Sequence, residues 1–145
     1  NEWTEMALNE YKHSVKLKPG AKEFLVLLKS LGIKIGLATS NSKTLLELTL
    51  KANGVYELFD AVAITDEVER GKNFPDIYLL CAERLGVPPK NCAVFEDILP
   101  AVIGAKAAGM KVFGVQDDYS SYQKEEIIKT ADHYINDYNE LTKVV

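Results

Sequence analysis

Short apolar runs alternate with amphipathic segments along most of the chain, and this alternation constrains the fold more than any other feature. It is typical of βαβ units, in which parallel strands are joined by helices. The predicted strands lie at 33–38, 61–64, 92–95, 111–115 and 133–135. We therefore expect a three-layer, Rossmann-like α/β arrangement with a parallel sheet and right-handed crossovers.

The helices between these strands are predicted from apolar periodicity and from the glycines and prolines that end them. Residues 21–31 carry an apolar stripe that includes Phe24 and Leu28, and Gly32 follows as a C-terminal cap. Residues 3–15 are also predicted to be helical and to stop before Pro19. The remaining predicted helices lie at 42–52, 76–85, 99–108 and 125–129, with a short one near Asn139.

Composition limits the function classes that this chain can serve. Its 145 residues are 47% hydrophobic, which is enough for one domain with its own core. A net charge of −4 with scattered lysines argues against a nucleic-acid partner. No apolar run approaches the length of about 20 residues that spans a bilayer, so no membrane partner is expected. Cys81 and Cys92 lack CxxC spacing and are expected to be buried thiols of a cytoplasmic protein.

The predicted strand at 33–38 ends in three polar residues, Thr39, Ser40 and Asn41. In open α/β sheets, ligands bind beyond the carboxyl ends of the strands. The Thr39 hydroxyl and the backbone N–H groups of the next helix start could bind a phosphoryl group. Ser40 and Asn41 could join this site, or either could cap the helix at 42–52. All three are candidate phosphate-binding residues, and Thr39 is also a candidate catalytic residue.

Lys72 supplies the cation that a phosphoryl site requires. It follows Gly71 in the loop ahead of the helix at 76–85. Its ammonium group would offer a compact positive charge to the equatorial phosphoryl oxygens. A lysine in such a loop is also commonly solvated without further function, and both interpretations stay open on residue type alone. Lys72 is a candidate catalytic and phosphate-binding residue.

Two adjacent carboxylates, Glu96 and Asp97, follow the predicted strand at 92–95. Ionised carboxylates are costly at the end of an apolar strand unless something compensates their charge. Hard oxygen ligands of this kind suit Mg²⁺, which is commonly held by one or two carboxylates and a substrate phosphate. The alternative is that Asp97 caps the helix that starts near Leu99. Glu96 and Asp97 are therefore candidate metal ligands, and Mg²⁺ is the expected cofactor.

Several segments occur in a specific order. They are Pro19-Gly20, Leu37-Ala38-Thr39-Ser40-Asn41, Gly71-Lys72-Asn73-Phe74-Pro75-Asp76, Val94-Phe95-Glu96-Asp97 and Ala107-Ala108-Gly109-Met110. From about residue 17 to the C-terminus, their order and spacing resemble the haloacid dehalogenase (HAD)-like hydrolase superfamily, most of all its β-phosphoglucomutase-like branch. The resemblance implies that Thr39 contacts the phosphoryl group and that Lys72 steadies both this group and a nucleophile. It also implies that Asp97, with Glu96, holds Mg²⁺.

The chain departs from the pattern of this superfamily at three places. Members usually read Gly-Lys-Pro-x-Pro-Asp, whereas here Asn73 and Phe74 follow the lysine. Ile98 stands where a serine usually follows the acidic pair. Members also begin with a central strand ending in Asp-x-Asp, whose first aspartate is the nucleophile, between the strands that end here at Ala38 and Phe95. This sequence contains no Asp-x-Asp.

The missing motif leads to an expectation about domain organisation. Residues 17–145 are expected to form an incomplete HAD-like core, and residues 1–16 the remnant of a helical cap domain. The central nucleophile strand and most of the cap are then missing from the chain, which by itself is expected to be inactive. Without the nucleophile strand, the sheet is expected either to contain a gap or to pair its strands anew.

The resemblance implies a Mg²⁺-dependent phosphohydrolase that acts on a small phosphorylated metabolite, such as a sugar phosphate, through an aspartyl-phosphate. A sugar-phosphate mutase of the same family and a non-catalytic phosphate- or metal-binding module of the same fold are the alternatives. A receiver-type signalling domain also combines acidic residues, a hydroxyl and a lysine. It places the acidic pair first and the lysine last, whereas here the hydroxyl comes first and the acids last.

Overall fold

The computed structural model of the protein describes residues 2–4 and 18–142. The strands are β1 (Glu2–Thr4), β2 (Gly36–Thr39), β3 (Ala61–Ile64), β4 (Ala93–Glu96), β5 (Lys111–Val115) and β6 (His133–Ile135). The α-helices are α1 (Ala21–Ser30), α2 (Lys43–Ala52), α3 (Asp76–Leu85), α4 (Leu99–Ala107), α5 (Lys124–Thr130) and α6 (Asn139–Thr142). Short 3₁₀ helices lie at Tyr56–Leu58, Thr65–Glu67, Pro89–Asn91 and Asp118–Gln123. None of the helices in this part of the chain is long and apolar enough to cross a bilayer.

The sequence predicted most of these elements closely. The predicted bounds of β3, α3, β5 and β6 are confirmed without a shift. The strand predicted at 92–95 is displaced by one residue, so that β4 ends at Glu96 and includes this carboxylate. The strand predicted at 33–38 begins later, at Gly36, and includes Thr39. Two of the candidate site residues are therefore the last residues of their strands.

One predicted helix is wrong at its beginning. Trp3 and Thr4 belong to β1, which pairs in parallel with β2 and places Trp3 opposite Leu37. Backbone N–H and C=O groups along an open strand edge need partners, and pairing with β2 satisfies them better than a helical turn of residues 2–4 would. The rest of this predicted helix, residues 5–15, lies outside the described residues. The assignment of residues 1–16 to a cap domain stays a prediction.

All strand pairs recorded within residues 2–4 and 18–142 are parallel. They form two three-stranded sheets, ordered β1-β2-β3 and β4-β5-β6. β1 also lies beside β4, so that the two sheets meet at β1. A short strand thus lies between β2 and β4, the position that the resemblance gives to the nucleophile strand. The direct pairing of β2 with β4 is not present among the described strands, and the recorded strand pairs end at β1 on one side and at β4 on the other.

Apolar side chains alternate between the two faces of the sheet and form one core on each face. Leu37 and Phe95 pack with α1 and α2, where the rings of Phe24 and Phe95 meet edge to face at 5.3 Å between centroids. Ala38 and Val94 point the other way and pack with α3 and α4. This alternation follows from the period of two in a strand. Helices on both faces of a parallel sheet confirm the predicted three-layer α/β fold.

Candidate functional site

The candidate site residues lie at the carboxyl edge of the sheet. Thr39 ends β2 and Glu96 ends β4, with Asp97 directly after it. Lys72 lies in the segment between the carboxyl end of β3 and the start of α3, and its side chain contacts Glu96. This contact shows that the carboxyl ends of the β3 and β4 strands face the same region, as the rule for open α/β sheets predicts.

A buried ion pair joins Lys72 to Glu96. The Lys72 Nζ atom lies 2.5 Å from Glu96 Oε2, and the Tyr78 hydroxyl donates a 2.7 Å hydrogen bond to the same oxygen. Glu96 is fully buried and Lys72 is 8% exposed. Buried charges are tolerated when they are paired and hydrogen-bonded, and both conditions are met at this oxygen. Lys72 is therefore not a solvated loop lysine, and its phosphate-binding and catalytic roles stay predictions.

Strand geometry explains which side of the sheet Glu96 faces. Side chains alternate along β4, so Glu96 points to the same face as Val94, which packs in the core with α3. Tyr78 lies on the buried side of α3, which covers this face of the sheet, and its hydroxyl therefore reaches Glu96. The Lys72 Nζ atom lies 6.0 Å from the centroid of the Tyr78 ring, which adds a weak cation–π attraction.

The loop that carries Lys72 lies directly on α4. A Cβ atom added to Gly104 would stand 1.9 Å from the Lys72 carbonyl oxygen and 2.8 Å from that of Phe74. Only glycine allows this approach of two backbones. Gly104 was missed in the sequence, although a glycine inside a helical pattern is a signal for such close packing.

Asp97 faces a different set of partners. Its carboxylate is fully buried, and its Oδ2 atom lies 3.6 Å from the ammonium group of Lys18. Ile98 is the N-cap residue of α4 and makes no side-chain capping bond, while the Leu99 N–H donates to Gln123 Oε1 at 3.2 Å. The N-cap position of α4 is therefore occupied by Ile98, one residue after Asp97.

Lys18 connects Asp97 to a carboxylate at the end of the neighbouring strand. Its Nζ atom donates to Asp117 Oδ1 at 2.7 Å and to the Gln116 carbonyl oxygen at 3.3 Å. Ser120 Oγ donates a 2.5 Å hydrogen bond to the Asp97 carbonyl oxygen. An open cavity of about 400 Å³ borders Lys18 and Asp117. Glu96 is thus paired with Lys72, while Lys18 lies between Asp97 and a further carboxylate, Asp117.

Sequence reasoning did not select these partners. Asp117 lies two residues beyond the end of β5, so the strand-end rule that identified Glu96 could also have identified it. Lys18, Tyr78 and Ser120 carry no comparable local signal, because they join the site only through contacts that are remote in the chain.

The residues after β2 have a clear local structure. Thr39 is fully buried, and its Oγ1 atom accepts a 3.1 Å hydrogen bond from the Asn41 N–H. Ser42 is the N-cap of α2 and accepts from the Leu45 N–H at 3.3 Å. The capping role considered for Ser40 and Asn41 is therefore wrong. Their phosphate-binding role, like that of Thr39, stays a prediction.

Tyr138 is a buried neighbour that responds to the charges of the acidic pair. Tyr138 is fully buried and packs against Phe24 and Phe95. Burial, followed by the charges of Asp97 and Glu96, raises the pKa of its phenol well above the usual value. A cation bound by the carboxylates would offset the same negative potential.

The donor chemistry of the acidic pair fits Mg²⁺. Glu96 and Asp97 offer fully buried carboxylates, the hard oxygen ligands that this ion prefers. Across residues 2–4 and 18–142, no group of three His, Cys, Asp or Glu side chains is placed to hold a metal alone. Mg²⁺ typically completes its shell with water and phosphate oxygens. The two carboxylates therefore fit an ion that takes its other ligands from elsewhere.

Fold and site together define an α/β protein with lysines and carboxylates gathered at the carboxyl edge of a parallel sheet. Residues 2–109 match the profile of the haloacid dehalogenase-like hydrolases. The chain belongs to this family, as the sequence motifs indicated.

Similar proteins are named as phosphatases or phosphoglucomutases. The chain is 43% identical over 98 residues to the candidate phosphatase YhcW of Bacillus subtilis (strain 168), covering 68% of this chain and 44% of that protein. It is 39% identical over 106 residues to the phosphorylated carbohydrates phosphatase of Thermotoga maritima, covering 72% and 49%. The crystal structure of β-phosphoglucomutase from Clostridium difficile matches with a TM-score of 0.73 and 30% identity, over 86% of this chain and 52% of that one.

These matches confirm the β-phosphoglucomutase-like branch and support a phosphatase-type enzyme at the level of the family. The chain spans about half the length of the relatives just described.

Proposed function

We propose that the complete protein is a Mg²⁺-dependent phosphohydrolase that acts on a small phosphorylated metabolite. One observation carries the proposal: in a member of the HAD-like hydrolases, Lys72 Nζ lies 2.5 Å from Glu96 Oε2 at the carboxyl end of β4, and the carboxylate of the following residue, Asp97, is also buried. This arrangement supplies a cation for phosphoryl oxygens and carboxylates for a metal ion.

Lys72 and Thr39 bind the phosphoryl group in this proposal. Glu96 and Tyr78 fix the Lys72 ammonium group, which keeps its charge at one place before substrate arrives. The Thr39 hydroxyl oxygen accepts from the Asn41 N–H, and a threonine hydroxyl can donate a hydrogen bond as well as accept one. Ser40 and Asn41 contribute further contacts to the phosphate.

Asp97 and Glu96 would hold the magnesium ion, which when bound would neutralise charge on the phosphoryl oxygens during transfer. The carboxylates are held ready for it, because Glu96 is fixed by Lys72 and Tyr78 while Ser120 bonds the backbone of Asp97. Burial excludes water from both carboxylates, which strengthens their attraction for a cation.

The nucleophile is the aspartate of an Asp-x-Asp motif in the complete protein, and none occurs within these 145 residues. Its carboxylate attacks phosphorus while the P–O bond to the substrate breaks, and the metabolite leaves as its alcohol with a proton from the second aspartate of the motif. Water then hydrolyses the aspartyl-phosphate, which releases inorganic phosphate and restores the carboxylate. The 145-residue chain alone contributes the phosphate-binding and metal-binding groups and is expected to show no turnover.

A sugar-phosphate mutase is the second candidate function. The similarity to β-phosphoglucomutase favours it. In a mutase, a hydroxyl group of a sugar phosphate accepts the phosphoryl group in place of water. A phosphorylated carbohydrate is the substrate class that we propose in either case, since the relative from Thermotoga maritima is named for it. We also propose a cytoplasmic location, because Cys81 and Cys92 are buried thiols that form no disulfide within the described residues.

The test is a screen of the complete protein against phosphorylated sugars, with Mg²⁺ and with EDTA. A phosphohydrolase releases inorganic phosphate only with Mg²⁺, whereas a mutase converts one sugar phosphate into its isomer without net release. Lys72→Met is expected to lose either activity, and Lys106→Met serves as the control because Lys106 forms a surface pair with Asp132. A protein that binds phosphate or Mg²⁺ but turns over no substrate would instead be a non-catalytic module.

A further inference from the structure

Lys18 stands between two buried carboxylates at unequal distances. Its Nζ atom lies 2.7 Å from Asp117 Oδ1 and 3.6 Å from Asp97 Oδ2. The shorter distance is that of a charge-assisted hydrogen bond, and the longer one exceeds hydrogen-bond length. Lys18 is 7% exposed, Asp117 is 6% exposed and Asp97 is fully buried, so solvent screens these charges little.

We infer that Lys18 and Asp117 act together as positioning residues for Asp97. Asp117 takes the strong bond from the lysine and keeps the ammonium group from closing on Asp97. The lysine in turn offsets the repulsion between Asp97 and Asp117. Asp97 therefore remains an anionic ligand at a fixed place, a role that rests on its proposed function in binding Mg²⁺.

The backbone around Asp97 is fixed by the segment that follows Asp117. Asp117 Oδ2 accepts from the Tyr119 N–H at 3.1 Å and so begins the 3₁₀ helix Asp118–Gln123. From this helix, Ser120 Oγ bonds the Asp97 carbonyl oxygen at 2.5 Å and Gln123 Oε1 bonds the Leu99 N–H at 3.2 Å. The same carboxylate thus orients the lysine and starts the segment that holds the β4–α4 loop.

The unequal distances predict opposite effects for the two partners. Asp117→Asn keeps the shape of the side chain and can still accept from Tyr119, but it no longer offers a full negative charge to Lys18. The lysine then pairs with Asp97 and competes with Mg²⁺. Lys18→Met keeps most of the volume and removes the positive charge near Asp97, so that the buried carboxylates of Asp97 and Asp117 attract Mg²⁺ more strongly.

The experiment is calorimetric titration of Mg²⁺ into the complete protein after removal of metal with EDTA, at a temperature where circular dichroism shows each variant folded. Asp117→Asn is expected to weaken Mg²⁺ binding about tenfold or more, as loss of an outer partner of a metal ligand typically does. Lys18→Met is expected to tighten it. Asp118→Asn is the matched control, since it removes the same charge from the exposed neighbouring residue and should leave the affinity unchanged.

The outcomes separate this inference from the proposed function. Magnesium binding that is lost in Asp97→Ala but equal in wild type and Asp117→Asn would overturn the positioning role alone. Wild-type protein that binds no Mg²⁺ would overturn both. A purely structural role would lower the melting temperature of Asp117→Asn without changing the Mg²⁺ affinity of the folded protein, and this result also contradicts the inference. If Lys18→Met does not fold, Asp117→Asn decides.

Discussion

The ammonium group of Lys72 lies 2.5 Å from the Oε2 atom of Glu96, and both side chains are buried at the carboxyl edge of the sheet. All of α3 and the first three residues of β4 lie between these residues in the chain, so the fold has to bring them together. A buried ion pair adds little net stability to a protein, because the attraction mostly offsets the cost of burying the charges. Removing one member destabilises the protein strongly, because the other charge is then buried without a partner. Stability and the proposed function therefore depend on the same two residues.

Lys72→Met is expected to destabilise the fold strongly, because Glu96 would lose a charged partner inside the protein. The expected loss is about 3–5 kcal/mol in the free energy of unfolding, measured by urea denaturation. The double variant Lys72→Met/Glu96→Gln should recover part of this loss, since the remaining group is neutral.

The control for this prediction is Lys106→Met. Lys106 is paired with Asp132 at 2.9 Å, but 38% of its side chain is exposed, so its loss should cost about 1 kcal/mol or less. Equal losses for the two lysine variants would contradict the account of the buried pair.

Gly104→Ala is expected to displace the loop that carries Lys72. The added methyl group would stand 1.9 Å from the Lys72 carbonyl oxygen, so α4 or the loop has to move. Alanine should raise helix stability by about 1 kcal/mol, but overpacking typically costs about 1–3 kcal/mol. We expect a net loss of stability in urea and a lower kcat in the complete protein.

Ala107→Gly is the matched control for Gly104, because it makes the reverse exchange at an exposed position of the same helix. It should cost about 1 kcal/mol through helix propensity alone and leave kcat unchanged. A Gly104→Ala variant that is more stable than wild type and equally active would show that the close approach has no consequence.

The bounds of the helices and strands show how much of this fold could be predicted from the sequence. Elements with a complete apolar period, such as α3 and β5, have the predicted bounds because their pattern is local. β1 was missed because three residues carry no period and its partner, β2, is remote in the chain. The rule that polar groups after parallel strands meet at one edge of the sheet predicted that Lys72 and Glu96 could lie close together, and they are in contact.

The partners of Asp97 could not be predicted in this way. Lys18 and Asp117 are separated by 99 positions in the chain, and no local pattern marks a contact over that distance. Thr39 ends β2, and Ser40 and Asn41 follow it as predicted. The helix α2 begins one residue later than predicted, at Lys43, and this shift makes Ser42 its N-cap. Side-chain roles at loop starts are decided by such small shifts, which periodicity does not fix.

The exposed pair of Glu67 and Arg84 gives a prediction for pH. The hydrogen bonds from Arg84 lower the pKa of Glu67 to about 2, from an ordinary value near 4.5. A carboxyl group whose pKa is depressed by folding stabilises the protein fully above its unfolded pKa. This contribution is lost as the pH falls through the folded pKa. The window is therefore from about pH 4.5 down to about pH 2.

Glu67→Gln should lower the free energy of unfolding near neutral pH by about 1 kcal/mol or less, because both side chains are about one-third exposed. Urea denaturation at several pH values should show this difference shrinking across the window. Asp66→Asn, a change at the exposed neighbouring residue, is the control and should show no such trend. A difference that grows as the pH falls would contradict the assignment.

The most direct measurement of the central claim is Mg²⁺-dependent phosphate release by the complete protein and by its Asp97→Ala variant, with Asp118→Ala as the exposed control. Because Asp97 is a proposed metal ligand, the variant should lose about 100-fold or more of the activity, and the control should keep it. Urea denaturation of both variants shows whether each is folded when assayed. A folded Asp97→Ala variant with the activity of the wild type would contradict the proposal that this acidic pair binds the metal of a phosphohydrolase.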